Sequence, residues 1–191
     1  MSVTFAPGYM PAAVPCFQWQ AEFEILLDMY RRRNPTRVLE VGTYHGGTLY
    51  HWLANASPGA VVVSVDHYRV GVDNRESYDA WCPPGVTLVV IDGDSGDETT
   101  RKRAEAWGPY EWVFIDAGHY YPEVKRDWEF YGSMAAPGGV VAFHDILPPT
   151  PAHPEIEVAQ LWEEVKASRE TTEIVADRDA EWGGIGVVFV D

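Results

Sequence analysis

The chain predicts one α/β domain built on a doubly wound, mostly parallel sheet. Apolar β-type runs recur along it, helical patterns alternate with them, and the runs stop at acidic residues. The runs are Arg37–Gly42, Val61–Asp66, Val86–Asp92, Trp112–Asp116 and Val140–Asp145. Each is nearly continuous in apolar residues, as expected of strands buried on both faces. In open sheets of this kind ligands bind beyond the carboxyl ends of the strands. Acids delivered there by strand after strand mark a site for a polar, cationic or metal-bearing ligand.

The elements follow in order. Residues 1–17 are rich in Pro, Gly and Ala and read as an irregular arm, which leaves 18–191 for the domain. Gln18–Arg33 carries Trp19, Phe23, Leu26, Leu27 and Tyr30 at helical spacing and should end before Pro35, since proline disfavours helix in the residue it follows. Gly46–Asn55 reads as the helix after the first strand. Arg69–Trp81 is weakly patterned and is closed by Cys82-Pro-Pro-Gly85. Helices are expected over Asp97–Trp107 and Pro122–Tyr131, the second with proline in its first turn, where a missing donor costs little. Pro137-Gly-Gly139 should turn into the fifth strand. A proline-dense loop, Pro148–Pro154, precedes a helix over Glu155–Arg169, and strands over Thr172–Ala176 and Gly184–Val190 close the chain.

Composition narrows the function. A net charge of −15 argues against a nucleic-acid backbone, which needs clustered Lys and Arg. Arg31-Arg-Arg33 and Arg101-Lys-Arg103 are short and fall on predicted helices. Cys16 and Cys82 form no metal or redox motif, and a disulfide is not expected. No run approaches the roughly 20 apolar residues of a membrane span, and the start lacks the pattern of a secretory signal. A cytoplasmic protein without membrane or nucleic-acid partners is the expectation, and the arm could make either a homo-oligomer or a lid.

Glu40-Val-Gly-Thr-Tyr-His-Gly-Gly-Thr48 lies between a strand and a helix, where backbone must approach a ligand closely. Its spacing, G-x-x-x-G-G, is neither the dinucleotide fingerprint nor a P-loop. Glu40 inside an apolar run requires a donor or a cation. Asp66 stands about 20 residues past the loop, where an acid commonly accepts ribose hydroxyls. Asp94 and Ser95 follow the third strand, placed either for the edge of an adenine or, for Asp94, to cap the next helix. Asp116 and His119 follow the fourth strand, and His144 and Asp145 end the fifth. Carboxylates with imidazole can hold a divalent ion, and an imidazole titrating near neutrality can serve as a base.

The ordered set Val38-Leu-Glu-Val-Gly-Thr43, Val65-Asp66, Gly93-Asp-Ser95, Phe114-Ile-Asp116 and Pro137-Gly-Gly139 resembles class I S-adenosylmethionine-dependent methyltransferases. Within them it is similar to the catechol O-methyltransferase branch, and more so to bacterial sugar O-methyltransferases and cephalosporin-hydroxylase-type proteins. The resemblance implies a Rossmann-like sheet whose final strand, within Gly183–Val190, is reversed. It implies that Glu40, Gly42 and Asp116 lie near the methionine moiety, Asp66 by the ribose, and Asp94 with Ser95 by the adenine. Thr43, Tyr44, Gly46, Gly47 and His67 join the expected cofactor site as loop and strand-end neighbours. It further implies a metal held by Asp116, His144 and Asp145, with His119 as general base. His144 stands where the family usually carries a carboxylate, which favours Mn²⁺ or Fe²⁺ over Mg²⁺.

The expected activity is therefore methyl transfer from S-adenosylmethionine to a hydroxyl of a small sugar or phenolic acceptor, with a divalent cation, Mg²⁺ or Mn²⁺. A non-catalytic binder of that cofactor and an NAD-linked oxidoreductase are the rival classes. The arm, residues 68–84, Tyr120 and Tyr121, and the proline loop are expected to wall the acceptor, with Trp19 and Trp81 suited to stack on it.

Overall fold

The computed structural model describes residues 16–67 and 75–191. The expected arm and the start of the weakly patterned segment lie mostly outside the described residues.

The elements are α1 (Gln20–Arg33), β1 (Arg37–Val41), α2 (Gly47–Ala54), β2 (Val61–Asp66), α3 (Arg75–Trp81), β3 (Thr87–Asp92), α4 (Glu98–Glu105), β4 (Tyr110–Ile115), α5 (Tyr121–Tyr131), β5 (Ala135–His144), α6 (Val158–Lys166), β6 (Thr171–Ile174) and β7 (Ile185–Phe189). They build one seven-stranded sheet in the order β3-β2-β1-β4-β5-β7-β6. β1 to β5 pair in parallel, and β7 runs antiparallel to both β5 and β6. The expected mostly parallel sheet with a reversed final strand is what the chain forms.

Alternation along each strand divides the core between the two faces of the sheet. Leu39, Val63, Val113 and Val141 pack on one face with Ala104 of α4, Val124 of α5 and Trp162 of α6. Val38, Val62, Trp112 and Ala142 pack on the other with Phe23 and Tyr30 of α1, Trp52 of α2 and Tyr78 of α3. β3 is only half-buried because it is a sheet edge, where one neighbour is missing. The continuous burial expected of every strand therefore holds best for β1, β2, β4 and β5.

Two boundaries differ for physical reasons. β5 begins at Ala135, so Pro137-Gly-Gly139 lies inside the strand as an irregularity and not as a turn before it. The register jumps there from Tyr110↔Ala135 to Trp112↔Val140, and Gly138 carries φ +77°. The helix expected from Glu155 starts only at Val158, because the preceding residues fold back instead, with the Ile156 N–H donating to the His153 carbonyl. α1 ends as expected: Asn34 takes the left-handed conformation ahead of Pro35 and donates its N–H to the Tyr30 carbonyl at 2.9 Å.

Cys16 and Cys82 are both free thiols. No helix among the described residues is long and apolar enough to cross a membrane.

Candidate active site

Chain order reverses direction between β1 and β4, so their carboxyl ends frame the crevice of the sheet. Two backbone bonds knit that crevice together. Gly42 donates its N–H to the Val65 carbonyl at 2.9 Å, and Asp116 donates to the Val41 carbonyl at 2.8 Å. Gly42 has φ +94°, and a Cβ there would fall 2.0 Å from the Asp116 carbonyl oxygen, so only glycine fits.

The loop after Gly42 is clasped from β2. Oδ2 of Asp66 accepts the N–H groups of Thr43 and Tyr44 at 2.7 and 2.6 Å. Tyr44, with φ +46°, is thereby held in a region a tyrosine seldom adopts. Thr43 and Ser64 share a hydroxyl–hydroxyl bond at 2.5 Å beneath it.

A cavity of about 660 Å³ opens above these strand ends, within the range of about 300–1,000 Å³ usual for ligand sites. Of the expected cofactor residues, Gly42, Thr43, Tyr44, Gly47, Asp66 and His67 line it, as do Asp94, Ser95 and Asp116. Glu40 and Gly46 do not. Glu40 points from β1 toward α2, where its Oε1 accepts from Thr48 and, at 3.0 Å, from the indole of Trp52. Burial pushes its carboxyl up to about 8, against the bonds from Thr48, Thr43 and Trp52. Gly46 faces away: a Cβ on it would meet the Tyr78 ring at 2.4 Å, so its glycine serves packing.

Asp94 does not cap α4, whose N-cap is Asp97. Its Oδ1 accepts the Gly96 N–H at 2.7 Å in a tight local turn. Ser95 donates its hydroxyl to Asp127 at 3.0 Å, and Tyr131 donates to the Ser95 carbonyl at 2.9 Å. Asp127 is fully buried, and desolvation raises its carboxyl to about 6 despite that bond and nearby Arg126.

At the other end of the cavity four side-chain atoms form a ring. Nδ1 of His144 lies 3.3 Å from Asp116 Oδ1 and 3.4 Å from Asp145 Oδ2. Nε2 of His119 lies 3.5 Å from each of the same two oxygens. Asp145 has φ +62°, a left-handed conformation uncommon for a residue other than glycine. His144 and Asp145 are buried. Burial alone would raise the Asp116 carboxyl, but the imidazoles of His144 and His119 outweigh it and hold it far below the usual range. The converse holds for His144: burial disfavours its proton, yet Asp145 and Asp116 raise its affinity well above normal, and His119 is raised similarly by Asp116 and Asp145.

Edges of 3.3–3.5 Å match donor spacing around an ion with bonds of about 2.0–2.2 Å. Asp116, His144 and Asp145 bring one donor atom each within 4.8 Å of one another. Asp116, His144 and Asp145 fit a divalent cation, with His119 beside them.

Of the residues expected to wall an acceptor, some line the cavity and others do not. Tyr120 and His153 line the cavity. Tyr121 does not: its hydroxyl donates to Glu164 at 2.6 Å, toward α6. Trp19 packs on Trp182, and Trp81 on Tyr50 and Tyr78, so neither reaches the cavity. Trp182, Glu155, Arg126 and Gln18 do reach it, and no sequence pattern pointed to them.

A family model described as a methyltransferase domain matches residues 39–146, more than half of the 191. Similar folds occur among solved structures. One is the O-methyltransferase TomG from Streptomyces achromogenes, involved in tomaymycin synthesis and solved with SAM; it is 20% identical with TM-score 0.69 over 90% of this chain and 80% of its own. An O-methyltransferase from Bacillus cereus, solved with SAH, is 18% identical with TM-score 0.70 over 96% of this chain and 84% of its own. The MycE methyltransferase of the mycinamycin biosynthetic pathway, solved with Mg and SAH, is 19% identical with TM-score 0.59 over 87% of this chain and 48% of its own. At such identities the likeness is one of fold.

Proposed function

The chain belongs to this methyltransferase-domain family, and we propose that it is an S-adenosylmethionine-dependent O-methyltransferase acting on a hydroxyl of a small sugar or phenol. One observation carries the reading: a single cavity joins a glycine loop at the crevice of the sheet to a ring of two carboxylates and two imidazoles. The SAM, SAH and Mg of the solved structures support it by analogy of fold.

When bound, S-adenosylmethionine supplies the activated methyl group and a divalent ion supplies Lewis acidity. The residues of the chain do the rest. Asp66 keeps the loop closed and would bind the ribose, with Asp94 and Ser95 available to the adenine. Asp116, His144 and Asp145 would hold the ion, and the imidazole among them would shift the preference from Mg²⁺ toward Mn²⁺. His119 takes the hydroxyl proton at Nε2. The two carboxylates that favour a proton on His119 are those a cation would engage, so a bound cation would leave that nitrogen unprotonated and free to accept a proton. Tyr120, His153 and Trp182 hold the acceptor. Orienting two reactants is worth roughly 7–11 kcal/mol in favourable cases, more than a single base contributes.

The test is transfer of labelled methyl from S-adenosylmethionine across a panel of sugars and phenols, with and without Mn²⁺. A methylated hydroxyl product that requires the ion is expected. Firm cofactor binding with no transfer to any acceptor would favour a non-catalytic binding module.

A further inference from the structure

Asp116 offers its two oxygens to different partners. Oδ1 faces His119 and His144, while Oδ2 accepts a hydrogen bond of 2.8 Å from Nε2 of Gln18. Gln18 stands just before α1, 98 residues away in sequence, yet it is only 2% exposed and lines the cavity. A carboxylate can only accept, so the carboxamide must turn its NH₂ to Asp116, which fixes the position of its oxygen. That oxygen, Oε1, is buried and has no hydrogen-bond partner among the described residues.

A buried acceptor without a donor is costly, and an apolar side chain of similar size would avoid the cost. Gln18 Oε1 and the remaining lone-pair capacity of Asp116 Oδ2 therefore form a corner of acceptors. The group that suits such a corner carries several N–H donors, no acceptor and a positive charge. An ammonium has this inventory. Among the parts of S-adenosylmethionine only the α-amino end of the methionine portion provides one; the ribose has hydroxyls, and the adenine is neutral.

We infer that Gln18 selects the amino-acid end of the cofactor, its Oε1 accepting a hydrogen bond from the α-ammonium while its NH₂ holds Asp116 in place. This assignment rests on the cofactor reading above. It makes Gln18 a specificity-determining residue that discriminates the full cofactor from nucleosides lacking the amino acid.

The experiment is calorimetric titration of the full chain and of Gln18→Met with two probes, S-adenosylhomocysteine and 5′-methylthioadenosine. They share the thioether nucleoside, and only the first carries the ammonium. Gln18→Met should weaken S-adenosylhomocysteine by about 10- to 100-fold, as expected for a bond to a charged group, and leave methylthioadenosine within about twofold. Gln18→Leu gives the same comparison should the Met variant fail to fold. Equal weakening of both probes, or no weakening of either, would overturn the assignment alone. Absence of binding by the unmodified chain would overturn the cofactor reading and this assignment with it.

Discussion

Gly42 sits directly beneath the backbone of Asp116, and the space a Cβ would need is filled by the Asp116 carbonyl. The end of β1 and the exit of β4 are thus a single unit, and both line the cavity. Gly42→Ala must push the Asp116 turn away and also strain a φ of +94°. The variant should lose more than about 1 kcal/mol of stability and most of its affinity for S-adenosylhomocysteine, read by denaturant melts and calorimetry. Unchanged affinity would mean that the cavity does not depend on this contact.

His119→Ala tests the division of labour in the ring. Turnover should fall by roughly 10²–10⁴, the usual contribution of a positioned base. S-adenosylhomocysteine affinity should stay within about twofold. A large loss of cofactor affinity in the variant would assign His119 to binding instead.

The ring also dictates a metal response. His144 and His119 share the oxygens of Asp116 and Asp145, so a cation entering there competes with protons on both imidazoles. Since both imidazoles hold protons more tightly than usual, metal affinity should rise with pH across neutrality. Mn²⁺ should bind more tightly than Mg²⁺ and release protons, seen as a dependence of the calorimetric heat on buffer ionisation. Full activity of metal-free protein in excess chelator would remove the ion from the mechanism.

Asp127 makes a separate, pH-resolved prediction. Its carboxyl is raised in the folded state to about 6 from an ordinary 3.8. At low pH both states are protonated and nothing is lost. As pH rises the unfolded chain ionises first, so the cost to folding grows and is complete only above the folded value. Asp127→Asn should therefore gain on the wild type by about 1 kcal/mol between pH 5 and pH 8. Melts at the two values measure this difference, and packing effects of the substitution cancel. An equal difference at both would show that Asp127 is not desolvated.

Much of this architecture was legible because it is written in local pattern. Continuous apolar runs ending in acids located β1 to β5, and Gly42 and Asp116 stood out as the stops of two runs that prove to be neighbours. Burial on both faces was overread for β3, since position in a sheet is not a local property. The site was legible where residues sit at strand ends: Asp66, Asp116, His144 and Asp145 all face the cavity region. It was not legible where a side chain turns away, as Glu40 does toward α2, because strand alternation decides the face, nor at Gly46, whose packing against Tyr78 is a tertiary contact. Gln18, Arg126 and Trp182 arrive from a helix entry, the middle of α5 and a late turn, and only tertiary folding brings them to the strand ends. Asp127 gave a faint signal, an acid within a predicted amphipathic helix, but nothing in sequence told that Ser95 would meet it.

The central claim is that this cavity binds the nucleoside cofactor of methyl transfer. Titration calorimetry of the unmodified chain with S-adenosylhomocysteine tests it most directly. Saturable heat at one ligand per chain, lost in Gly42→Ala, is the predicted result. No heat at any ligand concentration, with the chain folded, would contradict the account.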